Sequence, residues 1–235
     1  MPPPRSLKLR AAMVDGRLLK SFPGSASELC ALCFETPFQL LVATILSAQC
    51  TDERVNLVMP EMIRRYPTPE LLAGAKVADV EKVVYSTGFY RAKAKNLIDM
   101  ASTLVARFRG EVPGDLPDLV TLAGVGRKTG NVIRSVAFGL PGLPVDTHVG
   151  RLARRLGLTK ELDPVKVEYA LNRLLPKEEW GGFSLRLILH GRAVCLARAP
   201  RCGICELADL CPSSPENARR KPANATESQT GRSKS

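Results

Sequence analysis

Between Tyr90 and Arg109 apolar residues fall at 94, 97, 98, 101, 104, 105 and 108, intervals of three and four that draw one stripe along an amphipathic helix. The apolar run "LLVATILSA" follows Thr36-Pro37-Phe38-Gln39, which reads as an N-cap, a Pro at the first helical position and a Gln closing a capping box. Thr68-Pro69 and Asp163-Pro164 open further helices in the same way. Gly88, Gly110, Gly139 and Gly157 each follow a periodic segment, where a glycine that tolerates positive φ ends a helix. No sustained period-two alternation occurs, so the expected fold class is all-α, with about ten helices joined by short loops.

The pattern fades at Pro212. From there "PSSPENARRKPANATESQTGRSKS" is polar, rich in Ser, Lys and Arg, and has little to bury, so a disordered tail is expected. Asn224-Ala225-Thr226 matches a glycosylation sequon, read as chance in an intracellular tail. The 235 residues, 45% of them hydrophobic, suffice for one large core or two small ones. Thirty-four Lys and Arg against 23 Asp and Glu leave a net charge of +11, which favours a polyanionic partner through release of condensed counterions. The start, "MPPPRSLKLR", lacks the apolar stretch of a signal peptide, and no run is long enough to span a membrane. A soluble, intracellular protein is expected, and seven cysteines without a repeated framework fit a reducing compartment and a metal site.

Cys195, Cys202, Cys205 and Cys211 lie within 17 residues at spacing C-x6-C-x2-C-x5-C. Four soft thiolates on so short a segment suit a four-cysteine zinc site or a 4Fe-4S cluster, and the single CxxC knuckle leans toward iron and sulfur. Arg198 and Arg201 fall inside the first loop and would present positive charge to phosphate. A second CxxC, Cys30 and Cys33, has no clustered partners and reads as two buried free thiols.

"LAGVGRKTG" (122–130) resembles a phosphate cradle. It fails as a Walker A loop because Arg127 separates Gly126 from Lys128 and Thr121 stands where the first glycine belongs. It fails as a dinucleotide fingerprint because the preceding "DLVTLA" reads as a short helix capped by Asp118 and not as a strand. What remains is helix, Gly-Val-Gly turn, helix: backbone N–H groups and a helix N-terminus that can grip a phosphodiester without reading sequence. Lys128 lies in the first turn of the second helix, where the positive helix end favours a neutral, nucleophilic amine; a phosphate-contacting surface lysine fits the spacing equally well. Eighteen residues on, Asp146 of "VDTHVGRL" is placed to cap the next helix. The turn "GLPGLP" doubles the chain back, so Asp146 can also return near Lys128.

Taken with "LLVATILSAQCTD", "GFYRAKAKNL", "LILHGRAVC" and the cysteine spacing, this sequence resembles the endonuclease III DNA glycosylases of the helix-hairpin-helix superfamily, from about Pro37 to Pro212. The resemblance implies two helical domains flanking a DNA-binding cleft: a six-helix barrel over 31–140 with the hairpin, and a cluster domain over 141–212 joined by residues 1–30, with 213–235 as the tail. It implies a 4Fe-4S cluster on the four cysteines, a nucleophile at Lys128 and a catalytic carboxylate at Asp146. It also implies that Gln49 fills the hole left by an everted base and that Phe89 wedges the opposite strand. Thr51, Gly124, Gly126, Arg127, Thr129, His148, Arg198 and Arg201 complete the expected DNA contacts. Three positions depart from the family pattern: Phe89 for the usual Leu, whose flat ring could stack on the orphan base, Ala123 for Pro, and Gly130 for Ala, which predicts a looser hairpin.

The expected activity is that of a bifunctional DNA glycosylase and abasic-site lyase removing oxidised pyrimidines from double-stranded DNA in base excision repair. The enzyme is expected to be a monomer in the cytoplasm, associated with the nucleoid and not with membrane. A monofunctional uracil or mismatched-adenine glycosylase is the alternative within the superfamily. A non-catalytic iron-sulfur DNA-binding or electron-transfer protein is the alternative outside it, disfavoured by the presence of both Lys128 and Asp146.

Overall fold

A computed structural model describes residue 4 and residues 6–218 of the chain. Residues 219–235, including the sequon, lie outside the described residues. Twelve α-helices occur among the described residues, with no strand: α1 Leu7–Ser21, α2 Pro37–Leu46, α3 Asp52–Arg65, α4 Pro69–Ala73, α5 Val77–Val84, α6 Tyr90–Phe108, α7 Leu116–Leu119, α8 Arg127–Val132, α9 Thr147–Arg155, α10 Pro164–Asn172, α11 Trp180–Ala193 and α12 Pro215–Ala218. Helix α8 continues as a wider π turn over Ile133–Ala137, and 3-10 turns occupy Tyr85–Thr87, Lys177–Glu179 and Cys202–Ile204.

The capping signals act locally as expected. Thr36, Thr68 and Asp163 each accept a backbone N–H three residues on, and a Pro follows each at the first helical position. Gln39 does not close its capping box on Thr36; its Oε1 accepts the N–H of Glu35, one residue earlier, at 2.8 Å. Gly88, Gly110, Gly139 and Gly157 all take positive φ. The cap of α7 is Asp115, one turn before the expected Asp118, which lies within the helix.

Two hydrophobic cores form. The first collects residues between Leu32 and Val136 around α2, whose Leu40, Leu41 and Leu46 are fully buried. Truncating any of these three would cost about 2–5 kcal/mol. Helix α6 buries Ala94, Leu97, Met100, Ala101 and Leu104 in it, while Val105 of the expected stripe stays exposed. The second core joins Ala11, Val14 and Leu18 of α1 to residues between Leu143 and Leu210. Arg186 of α11, 2% exposed, ties these ends together by pairing with Asp15 at 2.8 Å and Glu179 at 3.0 Å. Order continues past Pro212, where the tail was expected to begin: Ser214 and Asn217 are buried, and the Asn217 amide donates to the carbonyls of Ala208, Asp209 and Cys211.

The cores meet along α11. A Cβ on Gly181 would lie 2.5 Å from that of Ser135 and 3.1 Å from that of Ala26, so only glycine lets α11 cross the end of α8 at this distance. This crossing sets one wall of the site.

Candidate active site

The hairpin is built from α7, the turn at 122–126 and α8. Val125 is buried in the first core and anchors the turn. Gly124 takes φ +77, and a Cβ there would press on Asn96 of α6 at 3.2 Å. Gly126 has an ordinary extended backbone and nothing within 4 Å of where its Cβ would be, so the protein itself imposes no need for glycine there. The absent side chain instead leaves the mouth of α8 open. Thr36, Thr51, Thr68 and Asp163 cap α2, α3, α4 and α10, whereas Gly126 has no side chain to cap α8 and leaves its first N–H groups available to an anion. Gly130 does not loosen the hairpin as expected: Leu116 Cδ1 of α7 stands 2.6 Å from where a Cβ would be, so the missing methyl is filled by tight α7–α8 packing.

The chain then returns as the turn "GLPGLP" predicts. A Cβ on Gly142 would lie 2.6 Å from the Asn131 carbonyl oxygen, and Arg134 Nε donates to the Pro141 carbonyl at 3.0 Å, pressing the loop onto α8. Asp146 emerges as the N-cap of α9, its Oδ1 accepting the Val149 N–H at 2.8 Å. Lys128, on the first turn of α8, and Asp146 line one pocket of about 90 Å³ between the two cores. Its other walls include Cys30, Thr44, Ser47 and Asp52, with Leu185, Ile188 and Arg192 from α11. Arg192 bridges to Asp52 at 2.9 Å across the pocket.

Gln49 and Phe89 share an unusual backbone state. Both have left-handed backbone, φ 53 and φ 50, in non-glycine residues, a conformation that costs roughly 1–2 kcal/mol and gathers at functional positions. Phe89 is 67% exposed and Gln49 is exposed. Thr51 follows as the N-cap of α3, accepting from Arg54.

Of the other expected contacts, Arg127 and His148 have protein partners. Arg127 makes a two-point bridge to Glu168 of α10 at 2.7 and 2.8 Å and lies over the Tyr169 ring. Glu168 is 5% exposed, so this bridge joins the hairpin to the second core. His148 is half-buried, its Nδ1 3.1 Å from Arg151, and packs so closely on α11 that a Cβ on Gly191 would lie 2.9 Å from it. Thr129 is half-buried on the first turn of α8. Arg198 and Arg201 are exposed, as expected. Cys33 is exposed and Cys30 half-buried, so the second CxxC is not a pair of buried thiols.

The four other cysteines surround one cavity with Leu152, Leu156 and Leu207. Among the described residues no three His, Cys, Asp or Glu side chains converge closely enough for a single metal ion. Four thiols lining one cavity supply the ligand number that a 4Fe-4S cluster takes. Burial and the neighbouring thiols push Cys205 up to about 11 and raise Cys211 as well, so the thiolate forms need the positive charge of iron. Arg155, invisible as a site residue in the sequence, donates to the Cys195 sulfur at 3.2 Å and to the carbonyls of Leu196 and Ala197, and Arg151 reaches the Cys195 carbonyl at 3.0 Å. Their four-residue spacing on α9, which puts both on one face, was the available signal.

The family described as "HhH-GPD superfamily base excision DNA repair protein" matches residues 42–177, and "Iron-sulfur binding domain of endonuclease III" matches 195–211, bounded by the first and last clustered cysteines. Endonuclease III of Synechocystis sp. is 52% identical over 89% of this chain and 94% of its own length. That of Escherichia coli is 40% identical over 83% of this chain and 91% of its own. The chain belongs to the endonuclease III family. A solved structure titled "Structure of a Trapped Endonuclease III-DNA Covalent Intermediate: Estranged-Adenine Complex" superimposes with a TM-score of 0.83 at 39% identity, covering 90% of this chain and 99% of that one. This endonuclease III family member is a bifunctional DNA glycosylase and abasic-site lyase of base excision repair, with the helix-hairpin-helix fold and a 4Fe-4S cluster. No helix among its described residues is long and apolar enough to cross a membrane.

Proposed function

We propose that the enzyme excises oxidised pyrimidines such as thymine glycol from double-stranded DNA, with Lys128 as nucleophile and Asp146 as its carboxylate partner. The observation that carries this reading is their meeting in one pocket between the two cores, beside an uncapped helix N-terminus. A ring-damaged pyrimidine stacks poorly, which lowers the cost of turning it out of the duplex into that pocket. Gln49 fills the vacated stack and Phe89 parts the opposite strand, roles that their exposure and left-handed backbone support. The Lys128 amine attacks C1′ through its nitrogen lone pair, the glycosidic bond breaks, and the base leaves with the electron pair and a proton from the amine. Asp146 stabilises the positive charge that develops on the sugar and assists proton transfer. The nitrogen lone pair then opens the sugar ring, the C1′–O4′ bond breaking as O4′ takes up a proton, and the resulting Schiff base acidifies the C2′ protons; loss of one expels the 3′ phosphate by β-elimination, and water then frees the lysine. A relative trapped covalently on DNA supports a chemistry of this kind.

Cys195, Cys202, Cys205 and Cys211 would hold the cluster, which supplies the charge that keeps them ionised and the shape of the loop bearing Arg198 and Arg201. The enzyme acts as a monomer on the DNA of the nucleoid.

Incubation with a thymine-glycol duplex and borohydride should give a covalent protein–DNA adduct. No adduct with active protein would sink the lyase chemistry on this lesion, and an adduct that survives Lys128→Ala would sink the assignment of Lys128.

A further inference from the structure

Helix α6 carries a lysine that the sequence pattern hides. Lys93 is 4% exposed, and its Nζ donates to two backbone carbonyls from separate elements, Leu46 and Thr87, each at 2.7 Å. Leu46 ends α2, three residues before Gln49. Thr87 ends the 3-10 turn, two residues before Phe89. The backbone N–H of Lys93 also donates to the Phe89 carbonyl at 3.0 Å, so this one residue brackets Phe89 from both sides.

We propose that Lys93 is a positioning residue: it locks the loops of Gln49 and Phe89 in a fixed relation, so that both side chains enter the duplex in register. The physical case has three parts. The last carbonyls of a helix have no intrahelical partner and favour a cation, so the ammonium satisfies α2 where its chain must leave for the Gln49 loop. Gln49 and Phe89 both hold left-handed backbone that their side chains disfavour, and such conformations persist only where the surroundings over-determine them. A buried ammonium without its carbonyls, or the carbonyls without it, would be left unsatisfied, so the two loops cannot separate independently.

This inference rests on the proposed reading of Gln49 and Phe89 as the residues that enter the duplex, and its test separates the two. Wild type, Lys93→Met and Lys93→Gln are compared on a thymine-glycol duplex, with 2-aminopurine beside the lesion to report extrusion, and on a single-stranded oligonucleotide carrying an abasic site, which needs Lys128 chemistry but no strand insertion. Lys93→Met should lose the fluorescence rise and about tenfold or more of the single-turnover excision rate on the duplex, the scale set by a lost charged hydrogen bond. Borohydride trapping on the single strand should stay within about twofold of wild type. Lys93→Gln, which keeps an amide donor on a side chain one methylene shorter, should fall between, and it carries the test alone if Lys93→Met does not fold. Equal losses on both substrates, or full duplex activity in the variants, would overturn the positioning role. Failure of wild type to trap either substrate would sink the functional reading, and this inference with it.

Discussion

Asp146 serves two purposes with one carboxylate. Its Oδ1 closes the N-terminus of α9, and the same group faces the pocket of Lys128. Asn caps a helix about as well as Asp, so Asp146→Asn should melt within about 0.5 kcal/mol of wild type. Its single-turnover excision rate should nonetheless fall by about 10²–10⁴-fold, because the charge is gone. Asp146→Ala should lose a further ~1 kcal/mol of stability with the cap. Unchanged excision in the Asn variant would leave Asp146 a cap alone. Both the cap and the carboxylate reading were open in the sequence, since capping is local and the approach to Lys128 depends on a turn. Arg127 was legible only as a basic residue beside the glycines. That it bonds Glu168, 41 positions away, follows from how α10 packs, which no local pattern encodes.

At the scale of the element, the hairpin's glycines divide by cause. Gly124 needs its positive φ and close approach to Asn96, so Gly124→Ala should cost about 1 kcal/mol or more in denaturant unfolding. Gly126 has neither constraint. Gly126→Ala should therefore unfold within about 0.5 kcal/mol of wild type while weakening binding to undamaged duplex in a titration, because the new methyl meets the phosphate. A large loss of stability with intact binding would reverse that assignment. The capping signals of α2, α4 and α10 could be read because they are set within a single turn of chain. The looser hairpin expected from Gly130 could not be read correctly: propensity weighs a helix alone, whereas Leu116 fills the space from the neighbouring one.

For the molecule as a whole, the net charge of +11 should appear as salt dependence. The logarithm of affinity for undamaged duplex should fall linearly with that of salt, at a slope near −0.9 per neutralised phosphate. A flat dependence would mean that the basic surface does not meet the backbone. Removing Arg198 and Arg201 together should lower that slope by about 2. The sequence by itself determined the all-helical fold, the starts of α2, α4 and α10, the four clustered cysteines and the hairpin with Lys128, because each rests on periodicity, capping or spacing over a few residues. Only the tertiary structure decided that Lys128 and Asp146 share a pocket walled by α11, that Arg127 bridges to Glu168, and that Lys93 braces two loops 40 residues apart. Those relations arise from two cores folding against each other, where burial and unpaired polar groups select partners that no stretch of chain can name in advance.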